Sequence, residues 1–227
     1  MALFTEEERK AVEVAIAEAE ARTAGELVVA TIRRSSAYAF ERLLGAVSWG
    51  FAGAFVLAWR FPDLESSIPG AGGWGASTGI DLMDALFAHL AITIVLWLVL
   101  GWPPLLRGLL PRARTQSVAR ERAVRMFAEY GIYRTRDRTG LLIMLSEFER
   151  QVVILGDEGI DEQVGLEGWE GHVQHIVEGI RDGKSGAAVV KVLAEMAELL
   201  EATVPQRRFG FTGDGDINEL SDEVIEE

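Results

Sequence analysis

The chain has 227 residues, 49% of them hydrophobic, with 35 acidic against 22 basic side chains and a formal charge of −13. That length gives one large domain or two small ones, and the apolar content excludes a disordered chain. The acidity argues against a nucleic-acid partner, because neutralising phosphate needs a basic face; with no cysteine, disulfide frameworks, thiolate nucleophiles and Cys-type zinc sites are excluded.

The first element is a helix over 5–22. Thr5 followed by Glu8 is a capping box, and Val12, Ile16 and Ala19 form one apolar stripe. Thr23-Ala24-Gly25 ends it. Glu26 to Ile32 is short, apolar and β-branched, the pattern of a buried strand.

Two uncharged runs follow, Leu43–Trp59 and Ala85–Leu106. A helix needs roughly 17–25 apolar residues to cross a bilayer, so these runs predict a transmembrane hairpin. Trp59 and Trp102 lie where interfacial anchors belong. The N-terminus is acidic and polar, without the basic-then-apolar pattern of a signal peptide. Arg33, Arg34 and Arg42 precede the first run, and Arg107, Arg112, Arg114, Arg120, Arg122 and Arg125 follow the second. The connecting segment 61–84 carries Asp63, Glu65, Asp81 and Asp84 and no Lys or Arg. By the positive-inside rule the loop is external. The expectation is a two-span protein of a bacterial inner membrane, with both termini and the soluble domain cytoplasmic. The lipid bilayer is then one partner and a membrane protein a second.

Beyond the hairpin, Ala119, Ala123, Met126 and Phe127 mark a helix near 116–130, closed by Gly131. Gly140–Ser146 and Gln151–Leu155 read as strands joined by the turn Glu147–Arg150, short enough to require an antiparallel pair. Trp169, Val173, Ile176 and Val177 line a further helix. Val190, Leu193, Ala197 and Leu200 line a last one, and residues 205–227 read as an acidic tail. Strand one reaches strand two through helix, so that pair is expected to be parallel. The sum is an α/β fold, a small mixed-sheet α/β/α sandwich with the two-helix hairpin inserted in its first crossover.

The run YGIYRTRDRTGLLIMLSEFERQVVILGDEGIDEQV, the later IRDGKSGAAVVKVLAEMAELLEATVP, the tail motif DINELSD and the early TAGELVVATIRRSSAY together resemble the TPM domain. More narrowly they resemble its bacterial integral-membrane branch. The resemblance divides the chain into 1–38 and 111–204 as two parts of one TPM-like domain, 39–110 as the hairpin and 205–227 as the tail. It implies phosphatases by analogy with a plant thylakoid lumen member, or accessory, assembly and repair factors, some binding divalent cations. Family domains often face the periplasm or lumen; the arginines here place this one in the cytoplasm.

The leading site candidate is Gly156–Glu162, which follows a strand and precedes a helix. Asp157, Glu158 and Asp161 are oxygen donors suited to Ca²⁺ or Mg²⁺, at the kind of strand end where open α/β sheets bind ligands. The competing reading is a solvated turn whose acids favour the next helix N-terminus. Glu26 starts strand one near the same edge. Arg134 and Arg138 are the phosphate-holding candidates for a metal-dependent phosphatase acting on phosphomonoesters, or else a solvated collar. No Gly-x-Ser-x-Gly elbow or nucleophile–base pair is present.

Asp214–Asn218 begins like a calcium loop but has Glu219 where glycine is required. Gly179–Ser185 imitates a P-loop with three residues between its glycines, one too few, so Gly183 reads as a helix C-cap. His172 and His175 are spaced three apart, not the four of a zinc pair. His89 falls in the second apolar run. The reading that results is a membrane-anchored accessory module binding a divalent cation or a protein partner.

Overall fold

The computed structural model describes residues 3–60, 82–136, 138–160, 169–203 and 220–227. It divides into two compact units, one built from residues 1–36 and 112–227 and the other from 37–111.

In the first unit, helix α1 (Glu6–Glu20) starts at Thr5, which accepts the Glu8 N–H at 3.2 Å while Glu8 accepts the Thr5 N–H at 2.9 Å. The capping box read from the sequence is therefore formed. The Thr5 N–H, helped by the Thr5 hydroxyl and the Gly186 N–H, holds the Glu8 carboxyl below its ordinary pKa against the opposing effect of burial. Strand β1 (Glu26–Ile32) is buried along its length.

The chain returns to this unit with helix α5 (Arg112–Glu129), a short 3₁₀ turn (Ile132–Arg134) and the hairpin β2 (Gly140–Ser146) and β3 (Gln151–Gly156). Helices α6 (Glu170–Arg181) and α7 (Ser185–Thr203) follow, then a two-residue strand β4 (Ile225–Glu226). The sheet order is β3-β2-β1-β4. β1 and β2 are parallel from Glu26↔Gly140 to Ile32↔Ser146, and β2 and β3 are antiparallel from Leu141↔Gly156 to Ser146↔Gln151. Both pairings follow the expectation.

Alternation along the strands separates two cores. Leu27, Val29, Leu141, Ile143 and Leu145 pack with side chains of α1, α6 and α7. Val28, Ala30, Ile32, Leu142 and Met144 pack with Ala119, Ala123 and Met126 of α5. Period-two alternation in a fully buried strand feeds both faces of the sheet. The result is helix, sheet and helix in three layers.

The acidic tail needs correction at its end. Ile225 and Glu226 pair in parallel with Ala30 and Thr31, adding an edge strand. Glu227 donates its N–H to Thr31 O at 3.0 Å and accepts the Arg33 N–H at 2.8 Å. Its carboxylate pairs with Arg122 and accepts the Tyr130 hydroxyl at 3.0 Å. Backbone pairing with β1, plus a cation and a phenol from the α5 end, orders residues that composition alone assigns to solvent.

In the second unit, α2 (Ala39–Arg60) and α3 (Leu82–Val99) pack together, and α4 (Pro103–Leu109) follows. Gly50 faces His89 and Thr93, while Gly45 faces Leu100, so the two helices run antiparallel. Arg42 donates to Trp97 O at 2.8 Å and stacks over the Trp97 ring. The expected single run Ala85–Leu106 is not one helix. Among the described residues no single helix is long and apolar enough to cross a membrane; Leu86–Val99 and Pro103–Leu109 meet that composition only as a pair bent by 105°. Pro103 and Pro104 follow Gly101, and a proline has no N–H to continue the helix and fixes its own φ.

Gly140 shows how tightly the first unit is closed. A Cβ there would lie 2.3 Å from the Ile132 carbonyl oxygen, a backbone atom that cannot rotate aside. Gly140→Ala is expected to lower unfolding free energy by about 1–3 kcal/mol, read from urea unfolding of the detergent-solubilised chain; an unchanged midpoint would show that the 3₁₀ turn gives way freely.

Candidate functional site

Because β3 runs antiparallel to β2, its carboxyl end returns to the strand starts. Asp157 N–H donates to Gly140 O at 2.8 Å, and Gly140 pairs with Glu26. The acidic turn therefore sits at the amino ends of the parallel strands. The expectation that it shares the ligand-binding carboxyl edge of an open α/β sheet is corrected by this one reversal of direction.

Ile160 is fully buried and pins the turn into the core. Asp157 is 7% exposed. Its Oδ1 accepts the Glu158 N–H at 2.8 Å, while its Oδ2 is buried without a hydrogen-bond partner. An unsatisfied buried acceptor costs about 1–3 kcal/mol, so it marks a position where a cation or a donor would be favourable. Arg138, in the left-handed region at φ 55°, brings its guanidinium to both acids. It pairs with Glu158, and its Nε lies 3.8 Å from Asp157 Oδ1.

The structure thus brings together Asp157, Glu158 and Arg138, which the sequence places 20 residues apart at most. It does not bring Arg134 to them: that side chain donates to the Tyr133 hydroxyl at 3.1 Å and stacks over the same ring. Asp161 and the Asp214–Asn218 segment lie outside the described residues. Among the described residues no group of three or more His, Asp or Glu is arranged to hold a metal ion.

The histidines are accounted for by neighbours. His175 Nδ1 lies 3.2 Å from Glu195 Oε2, His172 tilts against Trp169, and His89 stacks on Phe51 at 3.8 Å within the second unit. Gly183, at φ 71°, follows the C-cap Asp182 as expected of a helix terminator.

A second acidic group lies at the same sheet edge; the sequence places its Glu26 there but gives no sign of Glu20. Glu20, at the end of α1, accepts the Leu27 N–H at 2.8 Å, and its Oε2 is buried without a partner. Glu26 Oε2 accepts the Leu220 N–H at 3.2 Å, fastening the returning C-terminal segment. Burial is the main cause that raises the Glu20 pKa from 4.5 to about 8; the Leu27 N–H opposes it, and the Glu26 and Asp222 carboxylates add to it. The return of residues 220–227 adds Asp222 to this crowding, a long-range contact that no local pattern announces.

Residues 109–199 match the family model described as the TPM domain. The NMR structure of BA42 protein from the psychrophilic bacterium Bizionia argentinensis is similar in fold, with a TM-score of 0.55 and 17% identity over 99% of this chain and 95% of that one. No curated protein matches the chain.

The Glu20 carboxyl makes stability pH-dependent. Its folded pKa lies above its ordinary value, so the folded state holds the extra proton between 4.5 and about 8. Its contribution is complete below that window and is lost as pH rises through it. Glu20→Gln keeps an oxygen for the Leu27 N–H and is expected to flatten the fall between pH 5 and 9 in urea unfolding; an unaltered slope would place the titration elsewhere.

Proposed function

From a chain whose residues 109–199 carry a TPM domain, we propose a membrane-anchored accessory module that binds a divalent cation, Ca²⁺ or Mg²⁺, beside β3 and presents its α/β unit to a protein partner. The anchor is the α2–α3 pair inserted in a bacterial inner membrane, with both termini cytoplasmic. One observation carries the anchoring: the outward surface of that pair is apolar. Phe40, Phe55 and Trp59 are 71%, 73% and 77% exposed, and Leu90, Ile94 and Leu98 continue the surface on α3. Each such side chain left in water forgoes about 1.5–3 kcal/mol, and a contiguous surface of this kind demands an apolar cover.

The cation reading rests on the orphaned Asp157 Oδ2. Glu158 supplies a second carboxylate, and Asp161 is the third proposed donor. Arg138 now neutralises the pair, but its side chain is 58% exposed. An exposed ion pair contributes roughly 0–1 kcal/mol, so a divalent ion displaces it at little cost. The phosphatase alternative lacks support of this kind, since Arg134 turns to Tyr133 and is not brought to the acidic turn beside Arg138.

Calorimetric titration of the detergent-solubilised chain with Ca²⁺ and Mg²⁺ tests the cation site. The expected outcome is saturable binding weakened at least tenfold by Asp157→Asn; no binding, or equal binding by the variant, removes the site. The natural absence of cysteine allows a separate test of the anchor. Ser77→Cys is expected to react with an impermeant maleimide in intact spheroplasts, and Ser117→Cys only after lysis. Equal labelling of both before lysis would refute the two-sided arrangement.

A further inference from the structure

Among the described residues β3 has a sheet neighbour on one side only. A strand bonds each neighbour through alternate residues, so half of its backbone donors and acceptors point outward. Proteins normally blunt such an edge with lysine, proline, a bulge or a covering element. The β3 sequence QVVILG has neither lysine nor proline. Residues Gln151–Ile154 instead form one side of an open cavity of about 800 Å³, walled by Gln116 and Arg120 from α5 and by Val173 and Val177 from α6.

Two further observations point to an occupant. Trp169, on the same wall, is 4% exposed, and its indole N–H has no hydrogen-bond acceptor. Arg120 and Arg181 reach the cavity from facing helices, and among the described residues neither makes an ion pair. The acids there are Glu178, which accepts the Gln174 amide at 3.1 Å, and Glu170, at the first turn of α6. Val152 and Arg181 also share the neighbouring groove, which puts Arg181 beside the start of β3.

We propose that this groove docks an extended, acidic peptide segment of a partner protein, which adds as a fifth strand to β3. Main-chain hydrogen bonds to the free edge give affinity. The floor between Val173 and Val177 takes alternate apolar side chains, and Arg120 and Arg181 select a carboxylate at the end next to Gln151. This is strand addition, in which backbone pairing supplies binding and pockets supply choice. The inference rests on the reading of the domain as a partner-binding module, but on neither the cation site nor the membrane placement.

The test is selection of random displayed heptapeptides on the full chain in nanodiscs, followed by fluorescence anisotropy of the winners. Expected are acidic, proline-free peptides whose affinity falls at least tenfold in Arg120→Glu/Arg181→Glu, a pair of exposed changes that leaves the fold intact. The Trp169 indole ¹⁵N–¹H resonance should also shift on binding, and Trp169→Phe should weaken it. No enrichment, or winners that bind the double variant equally, overturns the proposal. A concentration-dependent dimer dispersed by the same variant would also overturn it, by giving the edge to a second copy of the chain. Loss of Ca²⁺ binding with peptide binding intact would count against the cation site alone.

Discussion

The parallel pairing of β1 with β2 is the constraint on which the α/β unit depends. Glu26–Ile32 and Gly140–Ser146 match residue for residue, although the whole α2–α3 pair lies between them in the chain. The cost of closing so long a connection grows only slowly with its length, and it is met by burial: both strands are buried throughout. Everything else is placed from that pair. β3 is set by the turn after β2, β4 by the free side of β1, and the two cores by the alternation of β1 and β2 side chains.

The turn after β2 also ties down the chain just beyond β1. Glu149 accepts the Ser35 N–H at 3.0 Å, and the Ser146 hydroxyl bonds the same carboxylate. A buried carboxylate bonded by several donors holds its segment more firmly than a neutral acceptor would. The backbone adds to it, with Glu147 N–H on Ile32 O and Phe148 N–H on Arg33 O. The carboxyl end of β1 is thereby fixed before the chain departs into the apolar helices.

At the opposite edge the chemistry is different. Acids collect there: Asp157 and Glu158 after β3, and Glu20, Glu26 and Asp222 around the start of β1. Arg138 answers the first group, whereas the second depends on burial and on backbone donors from Leu27 and Leu220. One sheet edge thus carries a cation-balanced acidic turn and a proton-balanced acidic cluster side by side. That asymmetry is why the turn, and not the Glu20 cluster, is the position proposed for an external cation: Arg138 is exposed and exchangeable, while the Glu20 carboxyl is enclosed by its own fold.

Local patterning by itself determined the capping box at Thr5, the bounds of β1 and β2, the antiparallel β2–β3 turn and the glycine stop at Gly183, because each depends on residues within a few positions of one another. Apolar runs likewise determined α2 and α3, although the break at Gly101–Pro104 overrode hydropathy, which does not register a missing N–H. The same antiparallel turn already implies that β3 delivers Asp157 to the amino edge; tertiary structure alone decided that Arg138 folds onto it while Arg134 turns to Tyr133, and that residues 220–227 return to β1 and crowd Glu20. Those outcomes depend on strand direction and long-range register, which are set by what buries against what and leave no periodic trace in the chain.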